Sequence, residues 1–194
     1  MATLKKFLPW IIVAVVVLWG VSAYNGIVGK EQNTKRTWAD VESQYQRRMD
    51  LIPNLVNTVK GYADFEQETL TGVIEARAKA TQVTIDPTNL NPANIAAFQQ
   101  AQDGLSSALS RLLVTIERYP DLKANQNFLD LQSQLEGTEN RIAVARNRFN
   151  ESVETYNTTI IRFPGNLIAR IGGFEEKGFF KSAQGAETAP VVTF

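Results

Sequence analysis

The sequence predicts an all-α protein, an elongated antiparallel three-helix bundle with coiled-coil-like packing preceded by one N-terminal transmembrane helix. Three observations carry that expectation. An uncharged run near the N-terminus is long enough to cross a bilayer. Behind it, apolar and aromatic residues recur at an alternating three–four step along three stretches. Segments rich in proline and asparagine, of the kind that end helices, separate those stretches. The expected division is 1–29 as membrane anchor, 30–163 as bundle and 164–194 as an apolar, glycine-containing tail.

The anchor is the stretch "FLPWIIVAVVVLWGVSAYNGIVG", Phe7 to Gly29, which carries no charge. About 20 apolar residues span a hydrocarbon core. Trp10, Trp19 and Tyr24 are the amphipathic rings expected toward headgroups, with a deeper place the alternative for Trp19, and Pro9 falls where a helix start tolerates it. Val21-Ser22-Ala23 offers the small residues of a signal-peptide cleavage site. The apolar run continues past them with no polar region before, so an uncleaved anchor is the expectation. Orientation stays open. Lys5 and Lys6 precede the span, whereas Lys30, Lys35, Arg36, Arg47 and Arg48 follow it, which favours a domain inside. The short signal-like start favours export, and an extracytoplasmic, periplasmic bundle is the slightly preferred side.

The first bundle helix is expected from about Lys30 to Val83. Trp38, Val41, Tyr45, Arg48, Ile52, Leu55, Val59 and Tyr62 form a heptad seam in which only Arg48 is neither apolar nor aromatic. Pro53 lies inside this seam without resetting its phase. The expectation is therefore a helix that continues and kinks at Pro53, losing the hydrogen bond to Met49 at a cost of roughly 3 kcal/mol. The bend serves curvature, or else makes a hinge or docking notch with Arg48 and Asp50 beside the freed carbonyl.

A loop, "TIDPTNLNPAN", separates the second helix, with Asn91 as N-cap and Pro92 as first helical residue. Its seam is Ile95, Phe98, Ala101, Leu105, Leu109, Leu112, Ile116 and Tyr119, and Pro120 stops it. The third helix opens near Asn125 and carries Phe128, Leu131, Leu135, Thr138, Ile142, Ala145, Phe149, Ser152, Tyr156, Ile160 and Phe163. At 1.5 Å per residue the three helices would extend roughly 80, 40 and 58 Å. In a three-helix arrangement the third leaves the membrane again, so the chain after Phe163 would begin far from the bilayer.

Composition narrows the chemistry. Of 194 residues, 20 are basic and 20 acidic, and neither cysteine nor histidine occurs. Thiolate and imidazole metal sites, Cys nucleophiles and Ser-His-Asp catalysis are therefore impossible within this chain. The balanced charge does not suggest nucleic-acid binding, and no phosphate-cradling glycine loop is present. The expectation is a non-enzyme without cofactor.

At "WADVESQYQRRMDLIPNLVNTVKGYADFE" and "NQNFLDLQSQLEGTENRIAVARNRFNESVETYNTTIIRFPGNLIA" the chain resembles the bacterial LemA family. The likeness continues to the terminal "APVVTF" and covers nearly the whole chain. The resemblance implies a single-pass protein of the bacterial inner membrane carrying a helical bundle, with no defined biochemical activity. Related members have been linked to bacterial membrane-compartment formation.

Candidate partner-binding residues are Arg48 beside the kink and those of two further regions. On the third helix, Glu139, Asn140, Arg141, Arg146, Asn147, Arg148 and Asn150 belong to one polar block, Glu139 and Arg146 a heptad apart. They form either an ordinary polar stripe or a docking face. Polar seam residues such as Arg48, Thr138 and Ser152 are expected to fix register. In the tail, Leu167, Ile168, Ile171, Phe174, Phe179 and Phe180 require cover, by the bundle, by another protomer or by a membrane, and a protein surface is the expectation; Phe163 and Pro164, which end the third helix, count with Phe174, Phe179 and Phe180 as candidate partner contacts. Phe194 ends the chain in a free carboxylate suited to a sheet edge or a carboxylate pocket, or else lies in a disordered terminus. "NES" at Asn150 and "NTT" at Asn157 match a glycosylation pattern but fall within a helix and are discounted. The leading functional expectation is a membrane-anchored scaffold that self-associates or recruits protein partners. A membrane-shaping protein is the alternative, and a sensor or enzyme using the polar faces the least favoured reading.

Overall fold

The computed structural model describes residues 2–61 and 66–181, and among these every regular element is a helix. α1 spans Ala2–Lys60, α2 Gln67–Gln82, α3 Pro92–Ile116, α4 Pro120–Lys123, α5 Gln126–Ile161 and α6 Gly165–Gly172. α1 packs most extensively against α5, and α2 against α3.

α1 is one helix of 59 residues that carries the apolar run directly into the bundle and passes through Pro53 without interruption. Proline has no N–H, so the Met49 carbonyl one turn earlier loses its helical donor. Arg77 of α2 replaces it, donating from Nε to Met49 O at 3.0 Å. The continuity expected from the seam phase is observed, and its chemical compensation comes from a neighbouring helix rather than from Arg48 or Asp50.

The expected first helix does not continue to Val83. α1 ends at Lys60 and α2 starts at Gln67, running back along α1. Arg77 and Thr81 both reach Met49, while Glu66 at the turn pairs with Arg118 at 2.7 Å. The reversal lets Leu70, Val73 and Ala80 join Ile52, Leu55 and Val59 in one core with Leu105, Leu112, Phe128 and Leu135. A straight rod would carry those α2 residues past the ends of its partners and leave them in water.

The outcome is an elongated bundle of four long helices in up-down-up-down order, not three. α3 and α5 form where expected. Asn91 caps α3 by accepting from Asn94 N at 2.8 Å, and Asn125 caps α5 by accepting from Phe128 N at 3.2 Å. The chain turns at Tyr119–Pro120 into the single turn of α4. The seam residues of α5 from Phe128 to Ile160 face inward, nearly all of them buried.

The extra reversal overturns one expectation. α5 returns toward the apolar end of α1, so the chain after Phe163 begins beside the span rather than far from it. A β-carbon placed on Gly20 would lie 3.9 Å from Ile168 Cδ1 of α6, and Tyr24 packs on Phe174 with ring centroids 5.4 Å apart. Toward this end the bundle narrows to α1, α5 and α6, closed over Ile27, Tyr156, Ile160 and Ala169.

Candidate functional site: the strapped groove and the buried arginine

Gly173, at φ 71°, ends α6 in the left-handed conformation that glycine adopts without strain. The chain then runs back up the bundle as an extended strap. Its backbone is gripped by side-chain amides, each making a paired contact of the kind two strands make with one another. Asn157 Oδ1 accepts from Lys177 N and its Nδ2 donates to Lys177 O, both at 2.9 Å. Asn150 holds Phe180 in the same way at 3.0 Å on each side. Gln99 of α3 holds Lys181, at 2.9 and 3.0 Å.

These clamps read the strap's backbone, and packing fixes its direction. Phe180 enters the aromatic core formed by Trp38, Phe98 and Phe149, stacking on Trp38 at 6.0 Å. Arg146 covers the outer face of that ring, 4.9 Å from its centroid, and donates to Lys181 O at 2.8 Å. Gly178 N donates to Leu90 O at 2.8 Å. That approach is so close that a β-carbon on Gly178 would lie 2.6 Å from Pro92 Cα.

Lys177 is buried, with its ammonium 3.2 Å from Glu31 and over the Tyr156 ring at 5.6 Å. Burial, then the carboxylates of Glu31 and Glu175, push the Tyr156 hydroxyl up to about 12. Above this layer, Thr37 and Ser152 share a hydrogen bond of 2.8 Å between α1 and α5.

Higher still, Arg48 is 1% exposed. It donates to Glu139 Oε1 and Ser106 Oγ at 2.8 Å, to Gln102 Oε1 at 2.5 Å and to Gln102 O at 3.3 Å. The Tyr45 ring lies 5.0 Å from its guanidinium carbon. Burial raises the pKa of Tyr45. The arginine thus ties α1, α3 and α5 together at one level.

The residues singled out in sequence separate accordingly. Glu139 serves Arg48, whereas Arg146 serves the strap, so the two do not act as one pair. Arg141 and Arg148 line a shallow surface depression with Asp40 and Gln44 between α1 and α5. Phe180 is buried by the chain's own bundle, Phe174 is half-buried, and Phe163 and Phe179 are exposed. Pro164 is half-buried at the corner before α6. Trp10, Trp19 and Tyr24 are exposed on the apolar part of α1. Phe194 lies outside the described residues. Gln99, Gln102 and Arg77 were not singled out from sequence, and Asn150 and Asn157 were noted only as part of a polar block or as discounted glycosylation matches, not as clamps. The signal for two of them was present, since Asn150 and Asn157 stand one heptad apart beside the seam.

Among the described residues no cluster of acidic side chains could hold a metal. A broad open groove of about 1260 Å³ runs between α2 and α3, floored by Gly72, Ala76, Ala101, Gly104 and Ala108. Among the described residues one helix, α1, is long and apolar enough to cross a membrane.

The chain is 25% identical over 187 residues to "Magnetosome protein MamQ" of Magnetospirillum gryphiswaldense and to "Magnetosome protein MamQ 1" of Paramagnetospirillum magneticum. Each match covers 88% of this chain and 68% of the relative. It is 23% identical over 150 residues to "Protein LemA" of Metamycoplasma hominis, covering 77% of this chain and 65% of that protein. The model of the LemA family matches residues 37–194, and with its apolar helix and all-helical bundle the chain belongs to that family of membrane-associated proteins.

Proposed function

We propose that this chain is a non-enzymatic, membrane-anchored scaffold that acts through protein contacts, by self-association or by recruiting a partner. One observation carries the reading: α1 runs as a single helix from the apolar run into the bundle core. With no linker between them, the anchor sets the height and facing of the bundle, as suits a part that presents a surface rather than one that searches for a substrate. The open α2–α3 groove and the Arg141–Arg148 depression are the surfaces available for such contacts.

The test is crosslinking of the full chain in native membranes and in gentle detergent, followed by mass analysis. Discrete multiples of the chain, or one recurrent captured protein, are expected. A chain that stays single and captures nothing specific overturns the proposal.

A further inference from the structure

We infer that α6, with the Phe163 corner before it, is a second membrane-contacting element, lying in the bilayer leaflet from which α1 emerges. The surface it exposes is apolar to an extent that water does not favour. Phe163 is 79% exposed, Leu167 52% and Ile171 87%. On a helix Leu167 and Ile171 fall one turn apart on one side. The adjacent Ile168 and Ala169 face α1 and α5. The apolar arc therefore runs from the bundle contact outward to the exposed side without a polar interruption, and Arg162 and Arg170 flank it.

Depth along α1 identifies the occupant. Counting about 20 residues of hydrocarbon-spanning helix from Phe7 reaches Gly26. α6 lies level with Gly20, through Ile168, and its end lies level with Tyr24, through Phe174. It therefore sits at the edge of the hydrocarbon or within it, at the level where α1 exposes the apolar Val17, Leu18 and Val21. Tyr24, two residues inside that edge, stands where amphipathic rings meet headgroups. An amphipathic helix with cationic flanks at that height rests about 5–10 Å into the boundary. Lipid, not a water-borne partner, covers the patch.

This inference rests on the apolar run of α1 crossing the bilayer, and the experiment separates the two. The chain has no cysteine, so Leu167→Cys, Ile171→Cys, Val15→Cys and Val114→Cys each give one labelling site at an exposed position. The full chain is placed in phosphatidylcholine–phosphatidylglycerol nanodiscs and labelled with an environment-sensitive fluorophore. Quenching by iodide in water is then compared with quenching by doxyl groups on lipid tails. The expected result is that labels at 167 and 171 respond to the doxyl lipid as the label at 15 does, with iodide quenching about tenfold weaker than at the distal Val114 position.

Iodide access at 171 equal to that at 114, with 15 protected, overturns the inference and leaves the anchor standing. Protection at 171 from both quenchers means that a second copy covers the patch, and this also overturns it. Iodide access at both 15 and 171 removes the span itself, and the inference falls with it.

Discussion

Replacing Arg77 by methionine should destabilise the bundle by about 1–2 kcal/mol, and replacing Pro53 by alanine should abolish most of that cost. Methionine keeps the apolar stem and deletes only the donor. The lost bond runs from Nε to the Met49 carbonyl at 3.0 Å. A hydrogen bond from a charged donor contributes roughly 1.5–3 kcal/mol, and the half-buried position of Arg77 lowers the figure because water can replace part of it. In the Pro53→Ala background the residue 53 N–H returns within the helix and can donate to Met49 O. Arg77→Met should then cost under about 0.5 kcal/mol, a coupling of about 1 kcal/mol between residues on different helices. The four proteins of this cycle would be unfolded in mild detergent and followed by far-ultraviolet circular dichroism. For a chain of this size each kcal/mol corresponds to about 2–4 °C in Tm. Equal losses for Arg77→Met with and without Pro53 would refute the claim that α2 supplies the donor that the proline removes.

Three further outcomes follow from the strap and its surroundings. Asn157→Leu deletes both bonds to Lys177 and leaves a buried N–H and C=O unpaired, an expected loss of about 2–4 kcal/mol, read as faster tryptic cleavage at Lys177 and Lys181 and a lower Tm. Gly178→Ala should lift the strap, because the new methyl meets the Pro92 backbone rather than a movable side chain; about 1–3 kcal/mol is expected from such overpacking, and an unchanged Tm would show that the loop yields. Tyr156 gives the pH dependence. Its pKa, pushed up to about 12 in the fold against about 10 in an unfolded chain, makes its contribution complete below about pH 10 and lost as pH rises through about 12. A denaturation series across that window should show a step that Tyr156→Phe removes.

Two neighbouring positions explain how far the sequence could be read. At Pro53 the seam keeps its phase and the helix continues. Past Gly61 the seam also keeps its phase, from Val59 toward Leu70, Val73 and Ala80, yet the chain reverses between Lys60 and Gln67. Phase alone cannot distinguish the cases, because a turn of suitable length returns a helix to the same face. What differed was local chemistry. Proline inside a helix costs one hydrogen bond, which a distant arginine can replace, whereas glycine lowers helix propensity without marking a direction. That one turn decided the helix count and hence which end of the molecule Phe163 occupies. Arg48, Thr138 and Ser152 were visible as polar breaks in an apolar seam. Their partners were not, since Gln102 and Glu139 come from helices whose register only folding defines. The strap clamps were hardest to see, because an amide that binds backbone leaves no requirement on the residue it binds.

The Arg48 level also bears on where α6 lies. An apolar heptad seam alone permits two antiparallel helices to slide by one repeat with little change in burial. On α5 the residues one heptad either side of Glu139 are Gln132 and Arg146. Slipping toward Arg146 sets two guanidinium groups against each other; slipping toward Gln132 leaves the 1% exposed arginine without its carboxylate. Either slip would displace α6 along α1 by about 10 Å, seven residues at 1.5 Å, out of the level of Gly20 and Tyr24. The pair therefore sets register more than it adds stability. Its Glu139 end is 45% exposed, and removal of both partners together is often close to neutral. The double variant Arg48→Leu, Glu139→Leu should accordingly lose its single register while the fold persists, at a cost of about 1–3 kcal/mol for the buried Gln102 oxygen left without its donor. Spin labels at the exposed Ser43 of α1 and Val144 of α5 would report this as a second distance in the double variant beside the one in the parent. One unchanged narrow distance, with the fold preserved, would mean that the apolar seam and the strap clamps hold the register without the arginine.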